Sequence, residues 1–177
     1  DFDKDQPTIF NLGVSADNTE DILARIENET KARTRHGKLP IVIVQIGVND
    51  SSLRGGRVQV GLEAYRKNLE MIINKMLPLS SKLIFVGSSA CDESKTTPVS
   101  WGEYYYRNRD IKRYEDAMRT VAQEYHISFI PVFDEFMAAT NERKGLLPDG
   151  LHPNNEGHQV MYEIVKQRLS EVLDEGA

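Results

Sequence analysis

Apolar residues fall along this chain in two rhythms that take turns. Residues 41–46 read Ile-Val-Ile-Val-Gln-Ile, mostly β-branched, and the run breaks off into Gly47, Val48 and Asn49. Residues 82–86 and 127–132 repeat the pattern, and residues 8–12 form a shorter apolar run near the start. Runs of this length, closed by turn residues, read as buried strands. Between them the spacing switches to three and four. Leu62, Tyr65, Leu69, Ile72, Ile73 and Met76 share one helical face, as do Ile111, Tyr114, Met118, Val121 and Tyr125. Met161, Ile164, Val165, Leu169 and Val172 mark the buried side of a last helix. A further helix begins near Asn18, whose side-chain oxygen can accept from the free N–H groups of a first turn containing Asp21.

Strands rich in Val and Ile, alternating with amphipathic helices, predict an α/β chain whose parallel sheet is covered on both faces. The architecture expected is a flavodoxin-like three-layer α/β/α sandwich, built as a single domain over residues 1–177. Composition agrees, since 177 residues with 40% hydrophobic content suffice for one full core. A net charge of -5 argues against a general affinity for nucleic acid or anionic membrane, both of which need a basic surface. No apolar run reaches the ~18 residues that span a bilayer. The single cysteine, Cys91, rules out an internal disulfide. It says little about compartment, which leaves the cytoplasm as the default and secretion open.

Candidate chemistry sits at two places. Residues 148–154 read Pro-Asp-Gly-Leu-His-Pro-Asn and put a carboxylate, Asp149, three residues before a histidine, His152. A short loop can bring that carboxylate back onto the imidazole, fixing its tautomer and stabilising the imidazolium formed when it takes a proton. Pro153 suits the first turn of the helix that follows. The plainer reading is a capped loop with a solvated histidine. Upstream, Asn49 presents a side-chain amide at the carboxyl end of a strand, where open α/β sheets place their ligands. Asn49 and Asp50 also suit the closing of a turn, and Asp50 is expected to brace the loop. A metal site from Asp50, Asp149, His152 and His158 has the ligand types, but the spacing fits no known set. His158 is read as structural, and Cys91, following a strand, as packing.

Residues 11–17 (Asn-Leu-Gly-Val-Ser-Ala-Asp), 47–50 (Gly-Val-Asn-Asp) and 149–152 (Asp-Gly-Leu-His), in that order on a βα pattern, resemble the SGNH hydrolases, also called GDSL-type esterases and lipases. The resemblance runs over nearly the whole chain. It implies ester hydrolysis through an acyl-enzyme on a small-molecule ester, with no metal or other cofactor. It makes His152 the general base, Asp149 its orienting partner, and Asn49 Nδ2 and the Ala16 amide oxyanion donors. Ala16 stands where the family usually has Gly, so the loop there is expected either to stay in ordinary backbone space or to carry strain. Ser15 belongs to the same oxyanion loop and is not the expected nucleophile.

The family's Gly-Asp-Ser block, which carries the nucleophilic serine, does not occur in residues 1–177. The charged stretch at residues 1–7 looks like the connection into the family's second strand. The expectation is that the first strand, the first helix and the serine lie upstream of residue 1. In the family's strand order, 2-1-3-4-5, the missing strand would sit between residues 8–12 and residues 41–46. The rival expectation is a non-catalytic binding domain of the same fold that has lost its nucleophile. Residues 90–110, with Trp101, Tyr104, Tyr105 and Tyr106, form a long loop that suits either a pocket wall or a contact surface. No broad apolar lid is evident, which points to short acyl groups.

Overall fold

β-Branched side chains crowd a helical turn and settle into a pleated backbone, and the three apolar runs in the middle of the chain are strands. A computed structural model describes residues 8–34 and 37–174. Its elements, in order, are α1 (Thr19–Arg33), β1 (Ile41–Gln45), α2 (Val48–Ser51), β2 (Leu53–Arg54), β3 (Arg57–Val58), α3 (Leu62–Met76), β4 (Lys82–Val86), α4 (Glu93–Thr96), β5 (Tyr104–Tyr105), α5 (Asn108–Glu124), β6 (Ser128–Ile130), α6 (Phe133–Glu142) and α7 (Asn155–Asp174).

β1, β4 and β6 form a parallel sheet with β4 in the centre, Ile43 opposite Ile84 and Phe85 opposite Phe129. Alternation sends Val44, Leu83 and Phe85 to one face. There they pack with Tyr65, Leu69, Ile72 and Ile73 of α3 and Met118 and Val121 of α5, with α1 alongside. Ile84, Val86 and Ile130 point the other way, against Phe133 and Phe136 of α6 and Ile164 of α7. Helices therefore flank the parallel sheet on both faces, and the expected α/β/α layering holds. Asn18 caps α1 as expected: its side chain accepts from Glu20 and Asp21, and Asp21 returns the bond to the Asn18 N–H.

Several expectations give way. Residues 8–12 do not form a strand; most of this run is exposed, and among the described residues β1 pairs with β4 alone. A strand exists by virtue of a partner's backbone, and no strand among the described residues lies beside this run. Residues 1–7, read above as a connection, lie outside the described residues. Tyr125 is the C-cap of α5 and stays partly exposed, outside the buried face. Pro153 precedes α7 and is not in its first turn; Asn154 Oδ1 accepts there from the Gly157 N–H at 2.9 Å. Of the five positions assigned to the buried side of α7, only Ile164 is buried. The others are partly covered. Met161, Val165 and Leu169, with Gln45 and Leu173, line an open groove along α7. None of the expected site residues lines that groove.

A second, antiparallel sheet in the order β3-β2-β5 arises where no pattern announced it. Its two-residue strands are too short to carry a periodicity. It hangs the loop after β4 onto the loop after β1, with Leu53 opposite Tyr105 and Arg54 opposite Tyr104. No helix among the described residues is long and apolar enough to cross a membrane.

Candidate active site

Asp149 grips its own loop. Its Oδ1 accepts from the Leu151 N–H at 2.9 Å and the His152 N–H at 2.8 Å, and its Oδ2 lies 2.7 Å from His152 Nδ1. The loop turns through Gly150, at φ 92°, where a Cβ would stand 2.6 Å from the Cβ of Lys95. Only glycine meets both conditions. With Nδ1 on the carboxylate, the proton there is fixed and Nε2 is the nitrogen free to take another. Partial burial pushes the Asp149 carboxyl up, but the His152 N–H, the imidazole and the Leu151 N–H outweigh it and hold it below the ordinary carboxylate value. The pair stays open to solvent, with the His152 side chain 67% exposed.

The other half starts where β1 ends. Gly47, at φ 127°, bends the chain out of the sheet; a Cβ there would lie 2.8 Å from the Tyr65 hydroxyl. Asn49 then sits in the short helix α2, not in an open turn. Its Nδ2 donates to the Asp17 carbonyl at 2.9 Å, which brings it to the loop that carries Ala16. Ala16 has φ 68°, the left-handed region, so the strained alternative holds. Asp50 braces the junction, as expected. It is fully buried, and its Oδ1 accepts from both the N–H and the hydroxyl of Thr19 at the start of α1. Asn68 of α3 donates to the same hydroxyl at 2.9 Å. Burial pushes the Asp50 carboxyl up, with the two Thr19 bonds pulling against it.

One segment connects the halves. The loop after β4 is tied to the His152 loop by the Asp92 N–H, which donates to the Gly150 carbonyl at 2.7 Å. Trp101, 49% exposed, lies with its ring centroid 5.6 Å from that of His152. At its far end the Tyr106 hydroxyl is 3.2 Å from Asn49 Oδ1. Sequence reasoning marked these aromatics without assigning them a partner; their only signal was their density in a long loop. Cys91 is buried, and its thiol is pushed up to about 11 by that burial, consistent with packing and not attack. His158, in α7, is exposed. Asp149 pairs with His152, and Asn49 reaches the Ala16 loop, so each expected pair is assembled at its own end of this connecting loop.

Such an arrangement can move a proton at His152 and offer N–H donors at Asn49 and Ala16, the division of labour that acyl transfer requires. Comparison with known proteins agrees in kind. The chain is 26% identical over 139 residues to the GDSL esterase/lipase WDL1 of Oryza sativa subsp. japonica, covering 74% of this chain and 54% of that protein. It thus spans about half the length of that relative. Among solved structures it resembles LAE5, an alpha/beta hydrolase enzyme from the metagenome of Lake Arreo, Spain (TM-score 0.65, 25% identity, 85% of this chain and 66% of that one). It shares its fold with a catalytic mutant of Axe2, an acetylxylan esterase from Geobacillus stearothermophilus (TM-score 0.70, 21% identity, 89% of this chain and 69% of that one). Residues 2–160 match the GDSL-like lipase/acylhydrolase family, and the chain belongs to that family.

Proposed function

We propose that the full-length protein is a serine esterase that cleaves carboxylic esters through an acyl-enzyme, with residues 1–177 contributing to a single hydrolase domain. The observation that carries this reading is the 2.7 Å contact between Asp149 Oδ2 and His152 Nδ1, made by a carboxylate that two backbone N–H groups already hold in place. In this reading a serine upstream of residue 1 attacks the carbonyl carbon while His152 Nε2 takes its proton. Negative charge gathers on the carbonyl oxygen, and Asn49 Nδ2, the Ala16 N–H and the serine's own amide receive it. His152 then returns the proton to the departing alcohol, and a water activated by the same nitrogen releases the acid. Asp149 stabilises the imidazolium in both steps.

Short acyl groups fit best. In the loop after β4 Tyr106 is buried against Asn49, which leaves Trp101 as the exposed large side chain beside His152. Acetyl groups are the acyl class named for Axe2, a protein of the same fold. The test is to treat the full-length protein with a fluorophosphonate and follow its intact mass and its hydrolysis of p-nitrophenyl acetate. One adduct on a serine outside residues 1–177, with loss of hydrolysis, is expected. A protein that takes no adduct and releases no nitrophenol overturns the esterase reading and leaves the non-catalytic binding domain in its place.

A further inference from the structure

The Asn49 carboxamide is held at both ends. Its Nδ2 lies 2.9 Å from the Asp17 carbonyl and its Oδ1 3.2 Å from the Tyr106 hydroxyl. The first contact decides which end is which, because a backbone carbonyl has only lone pairs to offer and must face the NH2 group. Oδ1 then faces Tyr106, whose hydroxyl has to donate. Burial pushes the Tyr106 phenol above its ordinary value, with Ser52 pulling the other way, so that it keeps its proton at neutral pH. One of the two Nδ2 hydrogens is used by Asp17, and one remains.

The terminal torsion of an asparagine is soft, and its amide exchanges ends at little cost in water. Here the flipped amide would set its oxygen against the Asp17 carbonyl, lone pair to lone pair, and would lose the phenol as donor. Tyr106 itself is anchored. Its backbone N–H donates to the Thr96 carbonyl at 2.9 Å, and its carbonyl accepts from the Thr96 hydroxyl at 2.8 Å. The phenol therefore reaches Asn49 from a loop braced across its own length, which β5 pairs to β2 and the Asp92 N–H ties to the Gly150 carbonyl.

We infer that Tyr106 is a positioning residue of the oxyanion hole: its O–H locks the Asn49 carboxamide so that one N–H stays turned to the developing negative charge, while Tyr106 touches no substrate atom. The inference rests on the esterase reading above. It gives the long loop after β4 a role beyond lining a pocket, since this loop would set the donor at one end and meet the general base at the other.

The experiment compares Tyr106→Phe, Asn49→Ala and the double variant in the full-length protein, reading kcat and KM on p-nitrophenyl acetate and the thermal midpoint of each. Loss of an oxyanion donor outright costs about 100-fold or more. Tyr106→Phe leaves the donor present but loosely aimed, and is expected to lower kcat about tenfold with KM nearly unchanged. In the Asn49→Ala background the same change is expected to do nothing further, which a general loosening of the fold would not produce. The side-chain amide signals of Asn49, identified by their loss in Asn49→Ala, report the bond without turnover and are expected to shift in Tyr106→Phe. Unmoved signals overturn the inference. So does a wild-type enzyme that Asn49→Ala cripples and Tyr106→Phe leaves untouched, or a Phe variant whose loss repeats in full in the double variant. A wild-type protein that neither hydrolyses the ester nor takes a fluorophosphonate removes the esterase reading and this role with it.

Discussion

The two halves of the site are built in opposite ways. The Asp149–His152 half is local and open: a carboxylate turns back on a histidine three residues away, and the imidazole stands largely in solvent. The Asn49–Ala16 half is long-range and braced from beneath: Ala16 is exposed and Asn49 half-buried, and the full burial lies under them at Asp50 and Thr19. Asp50, fully buried, reaches Thr19 across 31 positions of sequence, Asn68 reaches Thr19 across 49, and Tyr106 reaches Asn49 across 57. Proton transfer tolerates an exposed base as long as its orientation is held, whereas donors for an oxyanion depend on being preorganised, which a buried brace beneath them supplies. In the proposed esterase reading, damage to the first half should therefore silence catalysis and leave the fold alone. Damage to the second should weaken both together.

His152→Ala sharpens the contrast most. It is expected to lower kcat on p-nitrophenyl acetate by at least about 10³-fold, while the free energy of unfolding, read by urea titration, moves by no more than about 0.5 kcal/mol because the ring is exposed. A clear loss of stability would show that the open half is less independent than its contacts suggest.

Asp50 tests the opposite claim. Asp50→Ala strips the Thr19 N–H and hydroxyl of their shared acceptor and is expected to destabilise the protein by about 2 kcal/mol, with kcat falling as the Ala16 loop loosens. Asp50→Asn keeps an acceptor and separates charge from shape. Burial raises the Asp50 carboxyl above its ordinary 3.8. A raised folded value means that the folded state holds the proton more tightly, so this contribution is full below 3.8 and is lost as pH rises through the folded value. Asp149 has the opposite sign: its lowered carboxyl contributes above the ordinary carboxylate range, and that contribution is lost as pH falls through the folded value. Unfolding curves taken across the acid range should thus show a flatter fall with rising pH in Asp50→Asn than in the wild type. Identical pH profiles would mean that burial does not govern Asp50.

The smallest effect is expected at Ala16. An L-residue with a Cβ in the left-handed region costs about 1 kcal/mol or more, so Ala16→Gly should relax the loop and stabilise the protein by up to about 1 kcal/mol, partly offset by the freedom glycine brings to the unfolded chain. A fall in thermal midpoint would show that the Ala16 methyl makes contacts worth more than its strain.

Much of this was legible in the residues. The α3 face from Tyr65 to Met76, the Asn18 cap and the return of Asp149 onto His152 are all settled within a few positions of the chain. Neighbours that close in sequence meet whatever the rest of the fold does. Residues 8–12 show the limit of the same reasoning, because an apolar run predicts the capacity to pair and not the presence of a partner. α6 escaped notice because the apolar run 127–132 continues into Phe133, which blurs where β6 stops and a helix starts. The small β3-β2-β5 sheet escaped because two residues hold no period.

By itself the sequence determined the layering of the fold and the pairing of Asp149 with His152, since these follow from periodicity and from contacts between near neighbours. Only the tertiary structure decided how Asn49 is held. Thr19 beneath Asp50, the Asp17 carbonyl beside Asn49 and the Tyr106 phenol on its amide come together because α1, β1 and the loop after β4 converge at one end of the sheet. Convergence of that kind depends on how whole elements pack, and no spacing along the chain records it.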